Sequence, residues 1–137
     1  MLSGTRNAVL RDWALEQLRA RNKDDYMSAF EFLAINAVAS DRPLLAKALY
    51  DIRRYDVWFD YCAMEVRHLE CRPSVELLQI IYEYGRCAFC RSFVVKELAK
   101  RRALTLGQIE ECVEDADEDT RKFAVRSMRS RRKQSVS

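Results

Sequence analysis

The chain has 137 residues, enough for one domain with its own core, and its 49% hydrophobic and 33% charged content excludes the disordered class. Three glycines and two prolines are too few for a protein built of hairpins, so an all-α chain is expected. A net charge of +3 is too small to imply a nucleic-acid partner by itself.

Arg6, Arg11, Asp12 and Glu16 interrupt the N-terminal segment where a secretory signal needs an apolar run, and no stretch has the length of a membrane span. Five cysteines without such a signal point to free thiols in a reducing compartment. The expected location is the cytoplasm, or the nucleus in a eukaryotic host.

Eight helical segments follow in chain order. The first runs from about Thr5 to Arg21, with Val9, Trp13, Leu15 and Leu18 at helical spacing. After the polar break Asn22-Lys23-Asp24, Asp24 or Asp25 is placed to cap a second helix, Tyr26 to Ala39, which is apolar almost all round and therefore buried on several sides. Ser40 or Asp41 caps the third, with Pro43 in its first turn. A break near Tyr55 precedes the fourth, Val57 to Leu69, and Cys71-Arg72-Pro73 ends it. The fifth, Ser74 to Tyr84, stops at Gly85, where a left-handed cap is expected. Arg86 to Arg102, Leu106 to Asp115 and Glu118 to about Arg132 complete the set. The domain is expected to span residues 1–133, with 134–137 a disordered tail.

The segments pair, and the pairs recur at a step of about 30 residues. Arg42-Pro43 and Arg72-Pro73 open successive pairs, and Leu45, Ala48 and Phe59 fall in step with Val75, Leu78 and Phe89. One residue further along, Leu78, Ile81 and Val94 map to Ile109, Cys112 and Val125, while Leu15 and Leu18 precede Leu45 and Ala48. Stacked antiparallel helix pairs, an α-solenoid, are therefore expected, with a compact helical bundle as the alternative.

The segment Ile109 to Met128, IEECVEDADEDTRKFAVRSM, is an apolar helix face, an acidic turn and a second helix with an early arginine. It resembles the two-helix unit of HEAT-like repeats. That resemblance implies that Asp115 and Asp117 occupy the inter-helix turn and that Arg121 bonds turn carboxylates of its own or a neighbouring unit. It also implies a surface that binds a protein or, less often, nucleic acid, and no catalytic residues. Gly85 and Cys87 replace the turn acids one unit earlier, where Arg91 is the arginine, and Tyr61 stands in the arginine's place in the unit before that.

Two other constellations compete. His68-x-x-Cys71 and Cys87-x-x-Cys90 have the spacing of a four-ligand zinc site, although an intervening helix of about 16 Å would hold the two halves apart. Cys87 and Cys90 at a helix start, beside Arg86, also have the form of a redox pair with lowered thiol pKa. On the last helix Lys122, Arg126, Arg129 and Lys133 form one stripe, which Arg131 and Arg132 extend into a basic cluster. It is either a footprint for phosphates or acidic proteins, or the polar outer face of a terminal repeat. The expected function is thus a non-enzymatic protein-interaction module or adaptor without a cofactor. A nucleic-acid-binding module led by the basic helix, and a zinc-stabilised helical domain, are the alternatives.

Overall fold

The computed structural model describes residues 7–136, apart from the side chains of Ala88, Phe89 and 133–136. Among the described residues there is no strand, and eight α-helices account for most of the chain. They are α1 (Ala8–Ala20), α2 (Tyr26–Asn36), α3 (Arg42–Asp51), α4 (Asp56–Val66), α5 (Val75–Tyr84), α6 (Ala88–Lys100), α7 (Leu106–Val113) and α8 (Glu118–Val136). Short 3-10 turns at Lys23–Asp25 and Ala39–Asp41 lead into α2 and α3. The helical backbone of α8 continues into the segment expected to be a tail, while Ser137 lies outside the described residues.

Local chemistry sets most of the boundaries. Asn7 and Ser74 accept hydrogen bonds from Leu10 N and Leu77 N at the starts of α1 and α5, each satisfying a backbone donor that has no helical partner. Thr105 and Gln108 form a reciprocal capping box at α7. Arg21 caps α1 in the left-handed region (φ 59°), and the connections after α4 and α6 each hold a left-handed arginine further on, Arg72 (φ 60°) and Arg102 (φ 57°).

Three expected caps are corrected. No side-chain cap bond from Asp25 is present at α2, where the 3-10 turn takes over the role of starting the helix. Asp41 precedes α3 but turns its carboxylate back to Val38 N and to Arg11, so it does not cap α3. Gly85 is not left-handed: its φ is −72° and its ψ 139°. Its N–H donates to Ile81 O at 2.8 Å, and a Cβ placed there would come within 2.5 Å of that oxygen. The glycine is required by close approach rather than by backbone handedness.

The helices stack as antiparallel pairs in two rows. The odd-numbered helices touch in order: α1 meets α3 and α3 meets α5, and the Tyr82 hydroxyl of α5 reaches Gln108 O and Glu111 of α7. In the even row α2 meets α4 and α6 meets α8, while Arg86 pairs with Asp56 at the start of α4 and Arg67 lies over the Phe93 ring of α6. Between the rows runs one continuous core, from Ala14 and Leu18 through Phe30, Leu49, Phe59, Leu78 and Leu98 to Ile109 and Ala124. Full burial of each such large apolar side chain is worth roughly 1.5–3 kcal/mol.

The repeat is physical as well as statistical. Arg11 bonds Asp41, Arg42 bonds Arg72 O, and Tyr61 bonds Glu31, all across 30 residues. Val75 and Val125, expected in step with core residues, are instead 39% and 36% exposed. Ala124, at 1% exposure, takes the place opposite Val94. The extra residue is therefore absorbed between Ile81 and Val94, whose surroundings include the Gly85 turn, and the even row keeps the shorter step.

The two edges of the stack are closed by different chemistry. Where an even helix leads to the next odd one, arginine side chains donate to backbone carbonyls: Arg42 to Cys71 and Arg72, Arg101 to Pro73, Arg131 to Leu104. Where an odd helix turns into its even partner, carboxylates take part, as in Arg21–Asp51, Arg86–Asp56 and Arg91–Asp115.

Candidate functional site

The residues of the acidic turn assemble, but not as expected. Arg121 Nη1 donates to the backbone oxygens of Asp115 (2.8 Å) and Ala116 (3.0 Å), not to a carboxylate. The carboxylate of Asp115, only 4% exposed, instead accepts from Arg91 of the preceding unit at 3.1 Å and from Asp117 N at 2.9 Å. Arg91 also donates to Gly85 O, six residues before it, just as Arg121 donates to Asp115 O, six residues before it. The two arginines therefore hold equivalent places, and Arg91 ties one unit to the next through a charge-assisted bond. Asp117 caps α8 through Thr120 N and the Thr120 hydroxyl, both at 2.9 Å, and these bonds hold its carboxyl below its ordinary pKa. In the unit before that of Arg91, Tyr61 points its hydroxyl at Glu31, whose charge raises the phenol pKa. These residues are joints of the stack.

The His68, Cys71, Cys87 and Cys90 quartet is not assembled. Among the described residues no group of three or more histidine, cysteine, aspartate or glutamate side chains is placed to hold a metal ion. His68 is exposed, and α5 separates Cys71 from Cys87, as its length requires. Cys87 serves the helix instead, its sulfur accepting from Cys90 N at 3.3 Å as the cap of α6. Burial pushes the Cys90 thiol up to about 12, the reverse of redox activation. Cys62 is likewise pushed up to about 12 by burial, and Cys112 is raised for the same reason.

The basic stripe of α8 is exposed at Lys122, Arg126 and Arg129. Lys122 pairs with Glu118 at 3.0 Å, and the Arg131 side chain is committed to Leu104 O. Arg132 is exposed, and the side chain of Lys133 lies outside the described residues. Lys122, Arg126 and Arg129 rim a shallow concavity of about 460 Å³ whose apolar lining is Val113 and Val125.

A further surface went unread in the sequence. Between α3 and α5 lies a groove of about 520 Å³, floored by Ala46, Ile80, Tyr50 and Tyr84 and edged by Lys47, Glu76, Gln79 and Glu83. Tyr50 and Tyr84 meet edge to face at 6.0 Å between ring centroids. The Arg53 guanidinium sits 3.9 Å from the Tyr50 centroid and 5.9 Å from that of Tyr84. At the following turn Tyr55 stacks on Trp58 at 5.3 Å, with Lys23 over the Tyr55 ring. Tyr50 and Tyr55 are 43% and 47% exposed, so these rings are surface rather than core. The signal available in the sequence was position: Tyr50, Tyr55 and Tyr84 all lie in the last turn of a helix or just beyond it, where a side chain reaches past its neighbours. No family model, curated protein or solved structure matches the chain. Among the described residues no helix is long and apolar enough to cross a membrane.

Proposed function

We propose that the chain is a small α-solenoid of HEAT-like helix pairs that acts as a non-enzymatic adaptor in the cytoplasm, binding another protein in the groove between α3 and α5. The observation that carries this is the pair of rings Tyr50 and Tyr84 lining that groove, with the Arg53 guanidinium against both. Tyrosine, tryptophan and arginine dominate the energetics of protein interfaces because they combine large contact area with a polar tip. Stacked helix pairs form such grooves by construction, since neighbouring units leave a furrow between their outer helices. The α5 side of the rim, Glu76, Gln79 and Glu83, faces Lys47 on α3 and fits a helix or extended segment whose apolar anchors are flanked mainly by basic or amide side chains.

Tagged wild-type protein is compared with Tyr50→Ser and with Tyr84→Ser in affinity capture, followed by identification of the bound proteins. A partner retained by wild type and lost from both variants, which keep their helical content, supports the reading. Partners indifferent to both substitutions overturn it. The second reading, nucleic-acid binding, rests on Lys122, Arg126 and Arg129. It demands an affinity for DNA or RNA that falls steeply as salt is raised, with one unit of the log–log slope lost for roughly each phosphate-contacting cation removed. Exposed Glu110 and Glu111 on α7, and Glu114 just past its end, oppose it by repelling phosphates.

A further inference from the structure

The two ends of the stack carry complementary faces. At one end α1 exposes Val9 (76%), Asp12, Trp13 (38%) and Glu16 on the side away from its buried residues Ala14, Leu15 and Leu18. That stripe has two apolar side chains and two carboxylates. The Trp13 ring is held edge-on against Phe32 at 5.8 Å, which fixes its position at the surface. At the other end, the concavity of about 460 Å³ on α8 has Val113 and Val125 as its apolar lining and Lys122, Arg126 and Arg129 as its rim. Val9 to Glu16 and Lys122 to Arg129 each cover seven helical steps, about 10 Å at the α-helical rise. The stripes thus match in length, and both set apolar side chains beside charges, of opposite sign at the two ends.

We infer that these two faces bind each other between copies, so that α1 of one chain lies on the α8 concavity of the next. Val9 and Trp13 cover Val113 and Val125, and Asp12 and Glu16 face Arg126 and Arg129. Within one chain the contact cannot close: α1 packs on α2 and α3, whereas α8 packs on α6 and α7, so the faces belong to opposite ends of the stack. The association joins two different faces and is therefore heterologous, head to tail. A single helix-on-helix contact is small beside a stable interface, so the assembly is weak and concentration-dependent. Salt opposes it, because the exposed charges that steer it are screened.

Sedimentation velocity tests this on the full chain from about 10 to about 300 µM, in about 50 mM and about 500 mM salt. The wild-type sedimentation coefficient rises with concentration in low salt and falls back in high salt. The double reversals D12R/E16R and R126E/R129E are each monomeric throughout, the half-association concentration rising by about tenfold or more. Mixed one to one, the two reversed proteins associate again, because each now offers the charge that the other requires. All four substituted positions are exposed or rim positions, and circular dichroism confirms that the variants keep their helices. A wild type that stays monomeric over this range overturns the inference, as does association that survives either reversal or mixing that fails to restore it.

Discussion

Replacing Gly85 separates two reasons for a glycine at the end of a helix. The alanine Cβ would lie 2.5 Å from Ile81 O, the oxygen that accepts Gly85 N–H at 2.8 Å. A contact that close must open by several tenths of an ångström, and the atom in its way is backbone rather than a flexible side-chain end. Overpacking of this kind costs about 1–3 kcal/mol. The attached hydrogen bond contributes a further loss of about 0.5–1.5 kcal/mol. Against this, alanine reduces the freedom of the unfolded chain by about 0.4–1 kcal/mol. The net for Gly85→Ala is a destabilisation of about 0.5–4 kcal/mol, centred near 2, measured by urea denaturation monitored by circular dichroism, with a fall in Tm of roughly 5–10 °C at that centre for a domain of this size. Gly85→Asn is the discriminating companion. Asparagine tolerates the left-handed region, so it would be mild at a left-handed cap, but here it carries the same Cβ and costs as much as alanine. An Ala variant within about 0.5 kcal/mol of wild type, or an Asn variant clearly milder than Ala, refutes the close-approach explanation.

At the Arg91–Asp115 joint, Asp115→Asn and Arg91→Gln each destabilise by about 1–2 kcal/mol, and a double-mutant cycle returns a coupling near 1 kcal/mol, reduced from a fully buried pair because Arg91 is 36% exposed. Arg102 is exposed and left-handed, so Arg102→Gly relieves backbone strain and raises stability by about 0.5–1 kcal/mol in the same urea assay. Thr105→Ala removes half of a capping box and costs about 1 kcal/mol, visible as earlier hydrogen exchange at the start of α7. The Cys62 thiol, raised by burial from an ordinary 9.0 to about 12, binds its proton more tightly folded than unfolded. Its contribution to stability is therefore complete below pH 9 and declines as pH rises toward 12, a slope that Cys62→Ala makes shallower in pH-dependent melts, leaving the parts due to the buried Cys90 and Cys112 thiols. At pH 8 a thiol reagent is expected to label Cys71 and Cys87 quickly, and Cys62, Cys90 and Cys112 only on unfolding.

The helices were legible because their apolar spacing and their caps agree. Leu15 and Leu18, and then Leu45 and Ala48, are all buried in the pattern their spacing dictates. Ser74 and Pro43 sit where helix starts require them. Errors concentrate where a side chain has more than one use. Asp41 has the composition of a cap, but Arg11 of the preceding unit and Val38 N compete for its oxygens and win. Val125 keeps the apolar character of its counterpart, yet the register of α8 places it outside and Ala124 inside. The Arg91–Asp115 bond was hidden for a related reason. The turn in front of Arg91 lacks acids, and the carboxylate it uses belongs to the following unit, 24 residues away. The α3–α5 groove was hidden because it is made by two helices that do not adjoin in sequence.

The bonds that cross the stack join residues about one unit apart, as between Arg11 and Asp41, Arg42 and Arg72, and Tyr82 and Glu111. Mechanically, the molecule is therefore a set of links in series rather than a block. A pull on its two ends loads every junction equally, and the weakest junction yields first while its neighbours stay shut. The chain lengthens in instalments of one helix pair, and each instalment re-forms from contacts that lie within itself and the pair beside it. Such a body tolerates being bent or stretched.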